Sequence, residues 1–305
     1  MKLDYKKLLL DSLKSDYHIE MEGVNFNYAN LLNNNREELH SIELYNNDAS
    51  VEVYKNFLDW LFETFDTNEK AFRKEWLSLL NLKKGYKVLI TGCGLGEDAI
   101  FCSEAVGLKS GVVHAQDLSS RFVEYASSLV PENVVLTVSD ALDLPYKDNY
   151  FDAVCHFGGI NLFDDIRQGI AEMNRVCRVG GQVLFGDESV AQHLRETEYG
   201  KMFIKNNHLW GSDAPINLLP ETAESIFLRY VLGNCFYLIG FRKGKTLPNA
   251  NIDLIHKGYR GGSVRTRYYG ELEGVDPESK QKIYNYAKAS NKSVVEILES
   301  LIEEL

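Results

Sequence analysis

Nothing in this 305-residue chain approaches the roughly 20 consecutive apolar residues that a membrane helix requires. The basic start, Met1-Lys2-Leu3-Asp4-Tyr5-Lys6-Lys7, leads only into Leu8-Leu9-Leu10. That is too short for the apolar region of a secretory signal, so a cytoplasmic protein without a membrane span is expected. Cysteine is sparse, at 93, 102, 155, 177 and 235, and no two form a CxxC pair. An odd number without ligand spacing argues against a disulfide framework and against zinc. Each cysteine is read as a small buried hydrophobe, and no metal is expected. Positive charge is short as well: 33 Lys and Arg against 44 Asp and Glu leave a net −11. Most of the surface would repel a phosphate backbone, so nucleic acid is not the expected partner.

Apolar residues make up 45% and charged residues 25%, as in an ordinary globular domain. Residues 2–14 read as a short amphipathic helix and the asparagine-rich stretch 25–35 as a loop. Apolar residues recur at helical spacing over 51–65 (Val53, Phe57, Trp60, Leu61, Phe65) and over 68–80 (Phe72, Trp76, Leu79, Leu80). Residues 1–84 are therefore expected to be a helical lid.

From Lys87 the pattern changes to short buried strands at 88–90, 112–115, 134–138, 151–155 and 182–185. Helical segments at 98–105, 120–129 and 165–178 separate them. Alternation of this kind predicts an α/β fold with a parallel sheet covered on both faces. A polar and aromatic insert follows at 190–220. Two apolar runs, 226–232 and 235–242, then flank Gly233-Asn234 and predict an antiparallel closing hairpin. The expected domains are 1–84, 85–245 and 246–305.

The strongest motif is Val88-Leu89-Ile90-Thr91-Gly92-Cys93-Gly94-Leu95-Gly96-Glu97-Asp98, a strand running into a GxGxG turn that opens a helix. Glycines let the backbone approach a ligand there. A dinucleotide fingerprint would want glycine at 97, where this chain has Glu97, and a carboxylate at a helix start repels phosphate. The motif therefore points to a cofactor without a pyrophosphate, such as S-adenosylmethionine. Strand two ends in Gln116-Asp117-Leu118-Ser119, which puts a carboxylate about 20 residues past the glycines, placed to accept a ribose diol. The alternative is Asp117 as a helix N-cap. Strand three ends in Ser139-Asp140-Ala141, where Asp140 can accept the amine of adenine; the alternative is a plain turn aspartate. All three lie at strand C-terminal ends, where open α/β sheets bind ligands.

These residues carry a resemblance. With Asp140-Ala141-Leu142-Asp143-Leu144-Pro145-Tyr146, Asp148-Asn149-Tyr150-Phe151-Asp152-Ala153-Val154 and residues 172–181, the chain resembles class I S-adenosylmethionine-dependent methyltransferases. The branch most resembled is that of ubiquinone/menaquinone biosynthesis, over roughly half the chain. The resemblance implies a Rossmann-like seven-stranded sheet, closed by the hairpin. It implies a cofactor site of Thr91, Gly92, Cys93, Gly94, Gly96, Asp117, Leu118, Asp140, Ala141 and His156. One departure stands out: the family usually carries an acidic residue where this chain has Ile90.

Methyl transfer needs alignment, water exclusion and, for poorly acidic acceptors, a base. The acceptor of this family approaches past strand four, so His156 is the expected base and Asn161 a polar orienter; the alternative for His156 is a structural core residue. His193, His208 and Trp210 in the insert, beside Asp213, are expected to line the acceptor pocket. Tyr45, Tyr54 and Phe57 read as a packing stripe in the lid. No Asn-Pro-Pro-Tyr signature is present, which favours an oxygen or carbon of a small or medium organic acceptor.

The C-terminal module resembles a ribbon-helix-helix unit: a strand over 264–275, then helices over 277–289 and 293–305. It implies a homodimer through residues 264–305, or docking back on the methyltransferase domain. A DNA-binding regulator sensing S-adenosylmethionine, with Arg265 and Arg267 on the ribbon, is the alternative. Eight Lys and Arg against nine Asp and Glu over 251–305 make a poor DNA-binding balance. An aminopropyl transferase on the same fold is a third reading, without a polyamine site to support it.

Overall fold

A computed structural model describes residues 5–15, 20–22, 28–32, 45–47, 49–258, 261–269 and 275–305. The chain divides into two compact units, Met1–Leu247 and Pro248–Leu305.

In the first unit the elements run α1 (Tyr5–Ser12), β1 (Glu20–Glu22), β2 (Tyr28–Asn30), α2 (Ser50–Thr64), α3 (Glu69–Ser78), β3 (Lys87–Thr91) and α4 (Glu97–Val106). They continue β4 (Val112–Asp117), α5 (Ser120–Ser127), β5 (Val134–Val138), β6 (Phe151–Phe157), α6 (Ile166–Val176), β7 (Cys177–Glu188), α7 (Glu198–Asn206), β8 (Ala223–Val231) and β9 (Phe236–Lys243). One sheet of nine strands takes them in the order β1-β2-β5-β4-β3-β6-β7-β9-β8. The run from β5 to β7 is parallel, and β9 and β8 close it antiparallel.

Seven of these strands are the expected set, and β1 and β2 come from the segment read as a helical lid. Tyr28–Asn30 lies parallel to β5, within the stretch read as loop, and Leu31 N donates to Val138 O at 2.8 Å. Three residues are too few to show a period, so the asparagines on either side decided the sequence reading. Ala29 is fully buried, which is what seats the short strand between β1 and β5.

The strands bury alternate side chains into two separate layers, as a pleat covered on both faces must. Val88 and Ile90 join one layer and Leu89 the other; on β9, Phe236 and Leu238 face one way and Tyr237 and Ile239 the other. The helices α2 to α5 cover the first layer, while α1 and α6 cover the second. All five cysteines are buried and unbridged. The closing hairpin turns through Leu232, Gly233 and Asn234, all at positive φ, so its loop is wider than Gly233-Asn234 alone.

The second unit differs from the ribbon-helix-helix expectation. Val264–Tyr269 is a helix (α8), followed by α9 (Pro277–Ser290) and α10 (Val294–Glu303). The cause is local. Thr266 N donates to Ser263 Oγ at 3.2 Å, and Ser263 N donates to Thr266 Oγ1 at 2.7 Å, a reciprocal cap that starts a helix. The ribbon of the dimer and DNA readings therefore has no strand over 264–269; residues 270–274 lie outside the described residues. Arg265 pairs with Asp253 at 2.6 Å and Arg267 donates to the Gly261 carbonyl. No helix among the described residues is long and apolar enough to cross a membrane.

Candidate active site

The glycine turn leaves β3 with Gly92 at φ 60°, Gly94 at 53° and Gly96 at 95°. Cys93 N donates to Gln116 O of β4 at 2.9 Å, which ties the turn to the next strand. At Gly92 a Cβ would sit 2.9 Å from the His156 ring, so glycine is required for the turn to pass that imidazole. Gly96 serves another purpose. A Cβ there would meet the Ala126 side chain at 3.0 Å, so this glycine lets α4 pack on α5 and does not line the cavity.

A cavity of about 520 Å³ opens above these strand ends. Gly92, Cys93, Gly94, Asp117, Leu118, Asp140, Ala141, His156 and Asn161 all line it. Asp117 Oδ2 accepts from Gly94 N at 2.8 Å and Oδ1 from Ser119 N at 2.9 Å, so the carboxylate joins the glycine turn to the start of α5. The helix cap in that place is Ser119, whose hydroxyl accepts from Phe122 N. Burial pushes the Asp117 carboxyl up to about 6, against the pull of those backbone N–H groups. Asp140 Oδ1 accepts from Leu142 N at 2.7 Å and so shapes the turn after β5.

Thr91 faces away from the cavity. It is fully buried, with Oγ1 3.1 Å from His156 Nδ1 and 3.4 Å from the Cys155 carbonyl, and it holds the imidazole in place. His156 is 1% exposed, its Nε2 has no hydrogen-bond partner, and burial lowers its pKa to about 4. It is a neutral imidazole and a weak base. Asn161 is committed too: its amide Nδ2 donates to the Glu188 carbonyl at 2.8 Å and its N–H to Asp187 Oδ2 at 2.7 Å.

The insert contributes different residues from those expected. His193 and His208 are exposed and lie off the cavity. Trp210 is buried in an aromatic stack, 4.6 Å from Phe203 and 6.0 Å from Phe236 between ring centroids. Asp213 pairs with Arg195. Asn207 and Leu209 line the cavity instead. Tyr45, Tyr54 and Phe57 also line it, so the packing stripe doubles as a wall.

Two residues absent from the expected set are central. Asp187 and Glu188 end β7 and line the cavity. Asp187 anchors the turn after β6 through the Asn161 N–H and also accepts from Glu188 N at 2.8 Å. Burial pushes its carboxyl up to about 6 and that of Glu188 to about 7. The signal was available, since both sit at the C-terminal end of a parallel strand, like Asp117 and Asp140. Arg73 also reaches the cavity, paired with Asp98 at 2.8 Å and Glu69 at 2.7 Å. It is the one Lys or Arg among the described lining residues, against seven carboxylates. Such a wall favours a cationic ligand over a phosphorylated one.

Residues 89–185 match the model of a family described as a methyltransferase domain. The demethylmenaquinone methyltransferase of Staphylococcus epidermidis is 38% identical over 117 residues, which cover 38% of this chain and 48% of the relative. That of Staphylococcus aureus (strain MRSA252) is 37% identical over the same shares of the two chains. The chain thus spans about half the length of the curated relatives it matches. Among solved structures, phosphoethanolamine N-methyltransferase 2 of Haemonchus contortus, in complex with S-adenosyl-L-methionine, shares the fold at a TM-score of 0.52. It is 16% identical and covers 65% of this chain and 58% of its own. Glycine turn, strand-end carboxylates and sheet order agree with the match over 89–185, and the chain carries a class I S-adenosylmethionine-dependent methyltransferase domain.

Proposed function

We propose that the protein transfers the methyl group of S-adenosylmethionine to a carbon or oxygen of a small ring acceptor of the quinone type. The observation that carries this reading is the convergence of Gly92, Asp117 and Asp140 on one cavity that also has apolar lining residues. Asp117 would accept the ribose hydroxyls and Asp140 with Ala141 would flank the adenine. The methionyl portion would lie along the turn at Gly92, and the lining carboxylates suit a sulfonium. The cofactor supplies an electrophilic methyl group on a positively charged sulfur; alignment and water exclusion are left to the protein.

The acceptor class rests on the relatives' name, demethylmenaquinone methyltransferase, and on the apolar residues of the cavity lining. Phe57, Leu61, Leu162, Leu209 and Phe236 are among them, and Val53 and Phe57 on α2 line the cavity while also exposed to solvent. A flat ring would pack against such side chains. Calorimetry with S-adenosylhomocysteine tests the reading: saturable one-to-one binding is expected, and no binding to the folded protein would refute it.

A further inference from the structure

We propose that Glu188 is the general base of the transfer, taking the proton of a ring hydroxyl on the acceptor; this rests on the methyltransferase reading above. The assignment comes from which polar groups in the cavity are already spent. Asp187 is filled by the N–H groups of Asn161 and Glu188 and faces those of Gly159 and Ile160. The Asn161 amide is tied to a carbonyl. The Nδ1 of His156 rests on Thr91, and its burial makes it too weak a base to hold a proton near neutrality. Glu188 is left. It is 9% exposed and lines the cavity, yet its carboxylate accepts just one hydrogen bond among the described residues, a long one from Asn207 Nδ2 to Oε2 at 3.4 Å. The Trp210 indole N–H faces the carboxylate without completing a hydrogen bond. A carboxylate offers about four lone-pair sites, so most of its capacity is open to a donor entering the cavity.

The surroundings tune it for proton transfer. Burial and the neighbouring Asp187 raise the Glu188 carboxyl to about 7, where a base works best at neutral pH. The groups facing it are Asp187 from its own strand, Tyr45, and Asn207 with Trp210 from the insert; none is cationic. A hydroxyl on an aromatic ring suits this base better than an aliphatic amine, which would sit there protonated and without its nucleophilic pair.

The step balances. The ring hydroxyl's proton passes to a Glu188 oxygen, and the electron pair left behind moves through the ring to the adjacent carbon. That carbon bonds to the methyl group as the methyl–sulfur bond breaks, its pair staying on sulfur. The ring carbon then releases its own hydrogen to solvent as a proton, and Glu188 returns the first proton to the ring oxygen. One proton is released overall, and no oxidant or reductant is consumed.

The test uses the full chain with 1,4-naphthohydroquinone as acceptor under anaerobic conditions. The complex with S-adenosylhomocysteine should bind the probe saturably, and Glu188→Gln should weaken that binding only about threefold to tenfold. In turnover, Glu188→Gln should lower kcat by about 100-fold to 10,000-fold while the affinity for S-adenosylhomocysteine is unchanged. The wild-type kcat should rise between pH 6 and 8, and 1,4-dimethoxynaphthalene, which has no hydroxyl, should not be methylated. Wild-type kcat in Glu188→Gln, a flat wild-type pH profile, equal turnover of the dimethoxy ring, or no binding of the hydroquinone would each overturn the proposal. The pH profile and the capped ring decide the matter even if the variant fails to fold. Failure of the wild type to bind S-adenosylhomocysteine would instead refute the methyltransferase reading.

Discussion

Single residues in this site carry two duties at once, and Asp117 is the clearest case. Its carboxylate holds the Gly94 N–H in the resting cavity and is the acceptor proposed for the ribose diol. Asp117→Ala should weaken S-adenosylhomocysteine binding by about 1–3 kcal/mol in calorimetry, with the fold retained by circular dichroism. Because burial raises this carboxyl to about 6, the wild-type affinity should also fall as pH drops below 6 and the acceptor oxygens become protonated. Unchanged affinity in the variant would remove Asp117 from the site. His114 is the opposite kind of residue. Both ring nitrogens are buried without partners among Tyr146, Tyr150 and Phe151, and burial, aided by Lys87, lowers its pKa to about 3. The unfolded chain binds this proton near 6.5 and the folded chain does not, so the contribution is fully present above 6.5 and shrinks as pH falls toward 3. At pH 4 the loss is about 3 kcal/mol. His114→Phe should flatten the decline of denaturant stability between pH 6.5 and 4, and an unaltered slope would show that His114 is protonated in the fold. The carboxylates of the glycine-turn motif were legible because their order along the chain follows the strand ends. Glu188 shares that strand-end position, but its role was not legible, since only the fold shows that it is buried and nearly unbonded.

Between elements, the most consequential link is the buried pair that joins α3 to α4. Arg73 and Asp98 meet at 2.8 Å with side chains 9% and 10% exposed, next to the cavity. Removing one partner strands the other charge in a poorly solvated place. Arg73→Ala should therefore cost about 3–5 kcal/mol in urea unfolding, and Arg73→Met with Asp98→Leu should recover most of it. A loss below about 1 kcal/mol would mean that water screens the pair as on an open surface. Elements with enough residues to show a period were readable: α2, α3 and the five parallel strands all lie where apolar spacing put them. The short ones were not. Tyr28–Asn30 has three residues, and Val264–Tyr269 has an alternating sequence that a reciprocal Ser263–Thr266 cap turns into a helix. The insert shows the same limit in another form. Its histidines and tryptophan drew attention as chemistry-bearing types, while Asn207 and Leu209, unremarkable in sequence, are the ones that reach the cavity.

At the scale of the whole molecule, the cavity belongs to one unit. All of its lining residues lie between Tyr45 and Phe236, inside Met1–Leu247. A chain ending at Leu247 should therefore bind S-adenosylhomocysteine with unchanged affinity, and a loss of more than about tenfold would show that Pro248–Leu305 supports the site. What the sequence determined by itself was the order of things: alternating strands and helices, a glycine turn after the first parallel strand, carboxylates at the next two strand ends, and a closing hairpin. Each is written in local spacing, because a strand or helix must repeat its apolar residues at its own period. Tertiary structure alone decided which side chains are spent and which are open. Asp187, Glu188, Asn161 and His156 look equally available in sequence. Packing then fills Asp187 with N–H donors, ties Asn161 to a carbonyl, neutralises His156 by burial, and leaves Glu188 facing the cavity with a single long hydrogen bond.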